Sequence, residues 1–95
     1  MEKLDLQKIR HDIDTVDKKL AQALEERLQL VLQVAEYKRE LGLPVRDLAR
    51  EEQVIAKVTS LLDNQDYAPA VAGIMRSIID AACSIEEEYM VIKKK

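Results

Sequence analysis

Arg27 and Lys38 are two side chains whose type and spacing suggest the binding of an anion. Residues 27, 31, 34 and 38 follow the steps of one helical face and read Arg, Val, Val, Lys. A helix would separate the two cations by about 16 Å along that face. Long side chains that lean toward each other can hold one small anion between them. The same spacing also suits two side chains that extend to solvent along an apolar seam.

Arg10 is a third cation of the same predicted helix, but it cannot reach the same anion within one chain. It lies 17 residues before Arg27, which places it about 25 Å along the helix and about 100° around it. If Arg10 belongs to that site, an antiparallel second chain must supply it. Taken alone, Arg10, next to His11 and Asp12, has the pattern of an ordinary exposed arginine.

A cluster of charges opens the predicted second helix. Asp47 precedes Arg50 by three residues and Glu51 by four, so we expect the three side chains to lie close together on the first turns. The two acids can accept hydrogen bonds from the hydroxyl of a substrate, while Arg50 binds a carboxylate. A lattice of ion pairs on the surface accounts for the same pattern.

Glu86 is an acid on an otherwise apolar face of the predicted third helix, where positions 75, 79, 82, 86 and 90 read Met, Ile, Ala, Glu, Met. A carboxylate in the core is destabilised by desolvation unless a cation or a hydrogen bond compensates, and when protonated it can donate a hydrogen bond. Alternatively, Glu86 to Glu88 form one solvated acidic run. His11 has no catalytic partner nearby and is expected on the surface, and Cys83 is expected to be a packed thiol.

Three helices must position these side chains, and the first is very long. Neither Gly nor Pro interrupts residues 5–41, and apolar residues recur every three or four positions, which predicts one helix of about 55 Å. We expect Gly42 to take the left-handed conformation that ends it, and Pro44 to prevent its continuation. Such a helix is longer than a globule of this size is wide, so it must find a partner.

Two shorter helices follow in the sequence. The second is expected to begin near Val45 or Arg46 and to stop in the polar segment 63–66. Asp66 is the predicted N-cap of the third helix, with Pro69 in its first turn. The fold class predicted is all-α, with residues 1–95 as a single domain.

The composition excludes several classes of function. The 95 residues carry a net charge of −3 with both signs interspersed, which argues against a nucleic-acid partner despite the terminal lysines, Lys93 to Lys95. One cysteine excludes an internal disulfide and favours a reducing cytoplasm. No uninterrupted apolar stretch approaches about 20 residues, so a membrane span is not expected. No metal site is expected.

The sequence resembles the all-helical chorismate mutase family over essentially its whole length. The stretch LPVRDLAREE from Leu43 to Glu52 is similar to the opening of the second helix in that family. The first helix matches by a set of apolar and charged positions, which are Ile9, Arg10, Asp14, Asp17, Leu20, Leu24, Arg27 and Lys38. Random amphipathic helices would seldom place these charges at these intervals.

The resemblance implies a cofactor-free enzyme that rearranges chorismate to prephenate in phenylalanine and tyrosine biosynthesis. It also implies a homodimeric helical bundle in which two three-helix subunits interlock through their long first helices and form two sites. In each site, Arg10 of one subunit and Arg27 of the other would bind the two carboxylates of the substrate. Lys38 would contact a carboxylate and the ether oxygen.

The remaining site residues implied by the resemblance lie on the second and third helices. Asp47 and Glu51 would bind near the substrate hydroxyl, and Arg50 would support the carboxylate sites. Ala82 and Glu86 stand where many family members carry serine and glutamine. Lys38, Glu86 and Arg27 would thus form the catalytic set, in which glutamate donates a hydrogen bond only when protonated.

Two other functions are compatible with an all-helical chain of this kind. An isochorismate-pyruvate lyase shares the fold and a cationic pocket, but generally lacks the acidic and basic opening formed here by Asp47, Arg50 and Glu51. A non-catalytic dimerisation or regulatory module would carry the same charges on its surface. Fold alone does not decide among these functions, because function belongs to the site.

Overall fold

The first helix, α1, spans Leu6–Leu41 in the computed structural model, which describes residues 4–94 and the side chains up to residue 92. The Asp5 carboxylate accepts the backbone N–H groups of Gln7 at 3.0 Å and Lys8 at 3.3 Å. Asp5 therefore satisfies two of the N–H groups that the first turn of a helix leaves unpaired. The predicted helix over residues 5–41 is confirmed, with Asp5 as its cap.

Gly42 ends α1 as the sequence predicts. Its φ of +68° lies in the left-handed region that favours glycine. The N–H of Leu43 donates to the Lys38 carbonyl at 2.8 Å, and the N–H of Gly42 donates to the Arg39 carbonyl at 3.3 Å. This pair of bonds is the Schellman motif, which pairs carbonyls that the end of a helix otherwise leaves free.

The second helix, α2, spans Leu48–Ser60 and begins later than the sequence-based prediction. Val45 and Arg46 precede it, and Asp47 is its N-cap, with extended backbone and a carboxylate that accepts the N–H of Arg50 at 3.1 Å. The prediction of a start near Val45 was wrong because an N-cap aspartate stabilises a later first turn.

The third helix, α3, spans Ala68–Lys94 and follows a short 3-10 helix, Gln65–Tyr67. Asn64 caps this segment and accepts the N–H of Asp66 at 2.9 Å. The prediction that Asp66 is the cap was therefore wrong by two residues. Pro69 lies in the first turn of α3, where its missing N–H costs nothing. Of the terminal lysines, the side chains of Lys93 to Lys95 lie outside the described residues.

The chain divides into two compact units, one up to Leu30 and one from Val31 onward. The second unit has a hydrophobic core in which the buried residues are Ile55 of α2 and Met75, Ile79 and Cys83 of α3. The partly buried residues that pack against this cluster are Val45, Val54, Val58, Val71, Ala72 and Ile78. The prediction that Cys83 is a packed thiol is confirmed, and burial raises its pKa.

The first unit has no buried residue among those described. An apolar stripe runs along its helix and stays exposed, with Ile9 at 38%, Ile13 at 51%, Val16 at 59% and Leu20 at 51%. Most helical stability in proteins comes from packing of the apolar face rather than from intrinsic propensity, and this exposed stripe lacks that stabilisation. The stripe therefore needs a surface to cover it.

Residues 4–94 contain helices and no strand, which confirms the all-α prediction. By length and composition alone, the helical segment Gln65–Ile92 could cross a membrane, so the expectation that the chain has no membrane span stays a prediction. One such helix is weak evidence, because the core helix of a bundle meets the same criterion. The single-domain assignment over residues 1–95 stays a prediction.

Candidate active site

Lys38 and Glu86 form a buried ion pair in the second unit. Lys38 lies in the last turn of α1, and its Nζ donates to Glu86 Oε1 of α3 at 3.1 Å. The same Nζ donates to the backbone carbonyl of Val45 at 2.5 Å. An ammonium group has three N–H donors. These two bonds use two of them, and the third has no partner among the described residues.

Glu86 faces the core, as the periodicity of α3 predicts, and is 5% exposed. Ala82, four residues earlier, is buried on the same side of the helix. Charge burial is unfavourable unless a partner and hydrogen bonds offset the loss of water. The Lys38 ammonium is the partner that compensates for burial of the Glu86 carboxylate.

A pocket of about 490 Å³ opens beside this ion pair. It lies where α1 ends and α2 begins, and its lining residues are Lys38, Leu43, Pro44, Arg46, Asp47 and Leu48. The Schellman motif at Gly42 reverses the chain direction after Lys38 and brings the following segment against it. Backbone turn chemistry therefore builds this pocket.

Asp47, Arg50 and Glu51 do not form the side-chain cluster that their spacing suggests. Asp47 lines the pocket, but its carboxylate accepts the backbone N–H of Arg50. Glu51 binds Arg46 instead, through bonds of 2.6 Å and 3.1 Å. The Arg50 side chain is exposed and makes no hydrogen bond within residues 4–94.

Arg46 is a site residue that the sequence reasoning missed. It contacts both carboxylate oxygens of Glu51, and its Nη2 also donates to Asp80 Oδ1 of α3 at 2.9 Å. These bonds raise the pKa of Arg46, and the hydrogen bond from Arg46 lowers the pKa of Glu51. A separation of five residues is not a standard helical pair, and no local signal links Arg46 with Asp80.

A second missed cluster ties the end of α1 to α3. The Tyr89 hydroxyl donates to Glu36 Oε2 at 2.5 Å, and Arg39 binds the same carboxylate through two bonds, of 2.5 Å and 3.3 Å. The hydrogen bond to Glu36 raises the pKa of Tyr89. Because Glu36 and Lys38 are close in α1, and Tyr89 and Glu86 are close in α3, this contact helps to fix the geometry of the ion pair.

Arg10 and Arg27 belong to the first unit. Arg10 is exposed. Arg27 is half-buried, and its Nη1 is buried with no hydrogen-bond partner among the described residues. A buried donor without a partner is costly, so Arg27 has a donor available for an acceptor that the described residues do not provide.

Comparison with known proteins places this geometry in a family. The sequence model of chorismate mutase type II matches residues 9–87, which is most of the chain. The chain belongs to the chorismate mutase type II family. The family that the sequence resembles is thereby confirmed, and the enzyme class with it. No solved structure matches the chain.

The chain is similar in sequence to three curated proteins, with identities between 28% and 41%. The chain is 28% identical to the chorismate mutase of Methanocaldococcus jannaschii over 86 residues, which cover 90% of this chain and 87% of that protein. It is 41% identical over 59 residues, or 62% of the chain, to a bifunctional chorismate mutase/prephenate dehydratase of Buchnera aphidicola. It is 29% identical over 92% of its length to the Aquifex aeolicus protein of the same name. The chain spans 15% and 25% of these two bifunctional proteins.

The predicted site residues are divided between the two units of the chain. The second unit brings together Lys38, Glu86 and Ala82, and it places Asp47 on the pocket wall and Glu51 against Arg46. Arg10 and Arg27 lie in the other unit, so their role in the same site stays a prediction. Within residues 4–94, no three His, Cys, Asp or Glu side chains cluster so as to hold a metal ion.

Proposed function

We propose that this chain converts chorismate to prephenate by a 3,3-sigmatropic rearrangement. The observation that carries the proposal is the Lys38 ammonium, which lies on the wall of the pocket and is held by Glu86 and the Val45 carbonyl. Membership of the chorismate mutase type II family supports the same activity. We further propose a cytoplasmic location, because the single cysteine suits a reducing compartment.

The rearrangement needs no nucleophile and no net proton transfer, so binding and electrostatics carry the catalysis. Negative charge grows on the ether oxygen as its bond to carbon lengthens. A donor that is already oriented in a pocket shielded from water stabilises that charge more than it stabilises the ground state. We assign this role to the third N–H group of Lys38 Nζ, which has no partner among the described residues.

Glu86 orients Lys38 in this proposal, and it contacts the ether oxygen itself only when protonated. Ala82, on the same side of α3, supplies no hydroxyl and leaves the chemistry to these two groups. Asp47 and Glu51 bind the substrate hydroxyl at the start of α2, where the exposed Arg50 adds a cation for a carboxylate. Arg27 contributes the Nη1 donor that has no partner among the described residues.

We also propose that the enzyme is a homodimer and that Arg10 acts across the interface. The exposed stripe of Ile9, Ile13, Val16 and Leu20 supports this arrangement, because a second copy of the same helix would cover it. Arg10 lies beside this stripe, so pairing of two chains would carry it to the partner.

The activity is tested by incubating the purified protein with chorismate and measuring both prephenate and pyruvate. We expect prephenate, and we expect Lys38→Ala to lower kcat by about a hundred- to a thousand-fold, as loss of a transition-state donor does. Lys57→Ala is the control, because Lys57 is an exposed lysine of α2 outside the pocket. Absence of turnover would refute the proposal, and pyruvate as the product would indicate a lyase.

Sharing of Arg10 is tested by mixing two inactive variants, Arg10→Ala and Lys38→Ala, and refolding them together. At equal amounts half of the dimers are mixed, and each of these has one intact site of two, so about a quarter of wild-type activity should return. Each variant refolded alone is the control. If the mixture stays as inactive as its components, Arg10 acts within its own chain or not at all.

A further inference from the structure

Arg46 joins three parts of the second unit through one guanidinium group. Its Nε and Nη2 contact the two carboxylate oxygens of Glu51 at 3.1 Å and 2.6 Å, and Nη2 also contacts Asp80 Oδ1 at 2.9 Å. Arg46 precedes α2, Glu51 lies in the first turn of α2, and Asp80 lies in α3. The start of α2 is therefore fixed to α3 by this group.

Arg46 lines the pocket, yet its charge is already matched. Two carboxylates bind this one cation, so the group of Arg46, Glu51 and Asp80 carries a formal charge of −1. Binding of an anionic substrate to Arg46 would require one of these charge-assisted bonds to break. Arg46 is thus poorly suited to hold a substrate carboxylate, although it stands next to Lys38 on the pocket wall.

The geometry suits a different role, which acts through Glu51. A bidentate arginine fixes the plane and rotamer of a carboxylate, and each carboxylate oxygen keeps a second lone pair that can accept another hydrogen bond. The Glu51 side chain is 15% exposed, so it retains some access to solvent. Without Arg46 the three torsions of Glu51 would be free, and ordering them would oppose binding.

We propose that Arg46 is a positioning residue, which holds the Glu51 carboxylate in the orientation that accepts a hydrogen bond from the substrate hydroxyl. Asp80 in turn holds Arg46, so α3 supports an acceptor of α2 through two bonded side chains. This inference rests on the proposed chorismate mutase activity for the identity of the hydroxyl. The orientation of Glu51 by Arg46 is independent of it.

A second ion pair between the same helices provides a matched control. Arg76 of α3 binds both oxygens of Glu52 of α2, at 2.7 Å and 3.2 Å. The two side chains are 56% and 62% exposed, and neither lines the pocket. Breaking this pair removes a bidentate contact between α2 and α3 without touching the acceptor at Glu51.

The experiment compares Arg46→Lys with Arg76→Lys in kcat and KM for chorismate. Lysine keeps the charge and loses the two-pronged geometry. We expect Arg46→Lys to lower kcat/KM about tenfold, as expected when one oriented contact is lost, and Arg76→Lys to stay within about twofold of wild type. Asp80→Asn, which weakens the support of Arg46, should give an intermediate loss. Circular dichroism confirms that each variant is folded.

Two further measurements separate positioning from a general loss of stability. In the Glu51→Gln background, Arg46→Lys should cause no additional loss of kcat/KM, because the residue through which it acts is gone. Carboxyl NMR titration of Glu51 should show its pKa rising in Arg46→Lys but not in Arg76→Lys, because the hydrogen bond from Arg46 is the main cause that lowers it. Equal losses in Arg46→Lys and Arg76→Lys, or an unmoved Glu51 pKa, would overturn the inference. If wild type does not turn over chorismate, the proposed function fails, and the Glu51 titration still decides whether Arg46 orients that carboxylate.

Discussion

Removing Lys38 alone from the Lys38 and Glu86 pair should cost more stability than removing both partners. The two groups are 3.1 Å apart, and their side chains are 18% and 6% exposed. At an effective dielectric constant of about 20, opposite charges at this distance attract by about 5 kcal/mol. Lost hydration offsets part of this attraction, so we expect a net coupling of about 2 to 3 kcal/mol.

The perturbation is a double-mutant cycle of Lys38→Met and Glu86→Gln. Lys38→Met leaves a buried carboxylate without its cation and should lower the free energy of unfolding by about 3 to 5 kcal/mol. Glu86→Gln leaves an amide oxygen that still accepts from Lys38, so its loss should be about 1 to 2 kcal/mol. The double variant buries no charge, and we expect it to be more stable than Lys38→Met alone.

The assay is urea unfolding followed by circular dichroism, at one fixed protein concentration because association contributes to stability. The exposed pair of Lys8 and Asp12, whose charged atoms are 3.0 Å apart, is the control. Their side chains are 73% and 60% exposed, so Lys8→Met and Asp12→Asn should couple by less than about 0.5 kcal/mol. Additive losses at Lys38 and Glu86 would refute the assignment of the pair as mutual compensation for burial.

Two further predictions address backbone conformation and acid stability. Gly42→Ala should lower the free energy of unfolding by about 1 to 2 kcal/mol, because residue 42 has a positive φ. Gly73→Ala should raise it by about 0.5 to 1 kcal/mol, because residue 73 is helical and has open space around its Cβ position. Thermal melts that shift in the same direction for both variants would contradict this. Hydrogen bonds from arginines lower the pKa values of Glu51 and Glu52. The stability that these acids contribute is therefore present above their ordinary pKa and is lost as pH falls through the pKa of the folded state. The urea midpoint should fall as the pH is lowered from about 5 to about 2, and a midpoint that does not change would count against both ion pairs.

The features that the sequence predicts correctly are those governed by local chemistry. Gly42 ends α1 because glycine tolerates the left-handed conformation, and the unbroken apolar period before it specifies one helix. The burial of Glu86 follows from the same period in α3, because positions four residues apart share a face. These signals lie within one helix and need no knowledge of packing.

The errors at the helix starts come from choosing between two local signals. The spacing of Asp47 from Arg50 and Glu51 suits a helical side chain, but aspartate is also a strong N-cap. In the structure Asp47 is the N-cap. Asn64 and Asp66 both suit an N-cap, and the short 3-10 helix between Asn64 and α3 selects the earlier one. Boundaries of this kind depend on differences of about 1 kcal/mol, which composition does not resolve.

The contacts that the sequence does not predict join residues far apart along the chain. Lys38 and Glu86 are separated by 48 residues, and Arg46 and Asp80 by 34. The sequence identifies each of these residues as charged. The residue that each one binds depends on how α1, α2 and α3 pack in the second unit. The sequence therefore predicts which side of a helix carries a charge better than it predicts what that charge binds.

The charge balance of the pocket argues that the second unit alone does not hold a substrate with two carboxylates. Lys38 and Arg46 are two cations, while Glu86, Glu51 and Asp80, which bind them, and Asp47 on the wall are four carboxylates. A dianion that approaches this group meets net repulsion unless further cations are supplied. Arg50 is exposed, and Arg27 has a buried donor without a partner in the described residues. We propose that Arg27 and Arg10, the latter from a second copy of the chain, supply these cations, and this electrostatic reason is independent of the exposed apolar stripe.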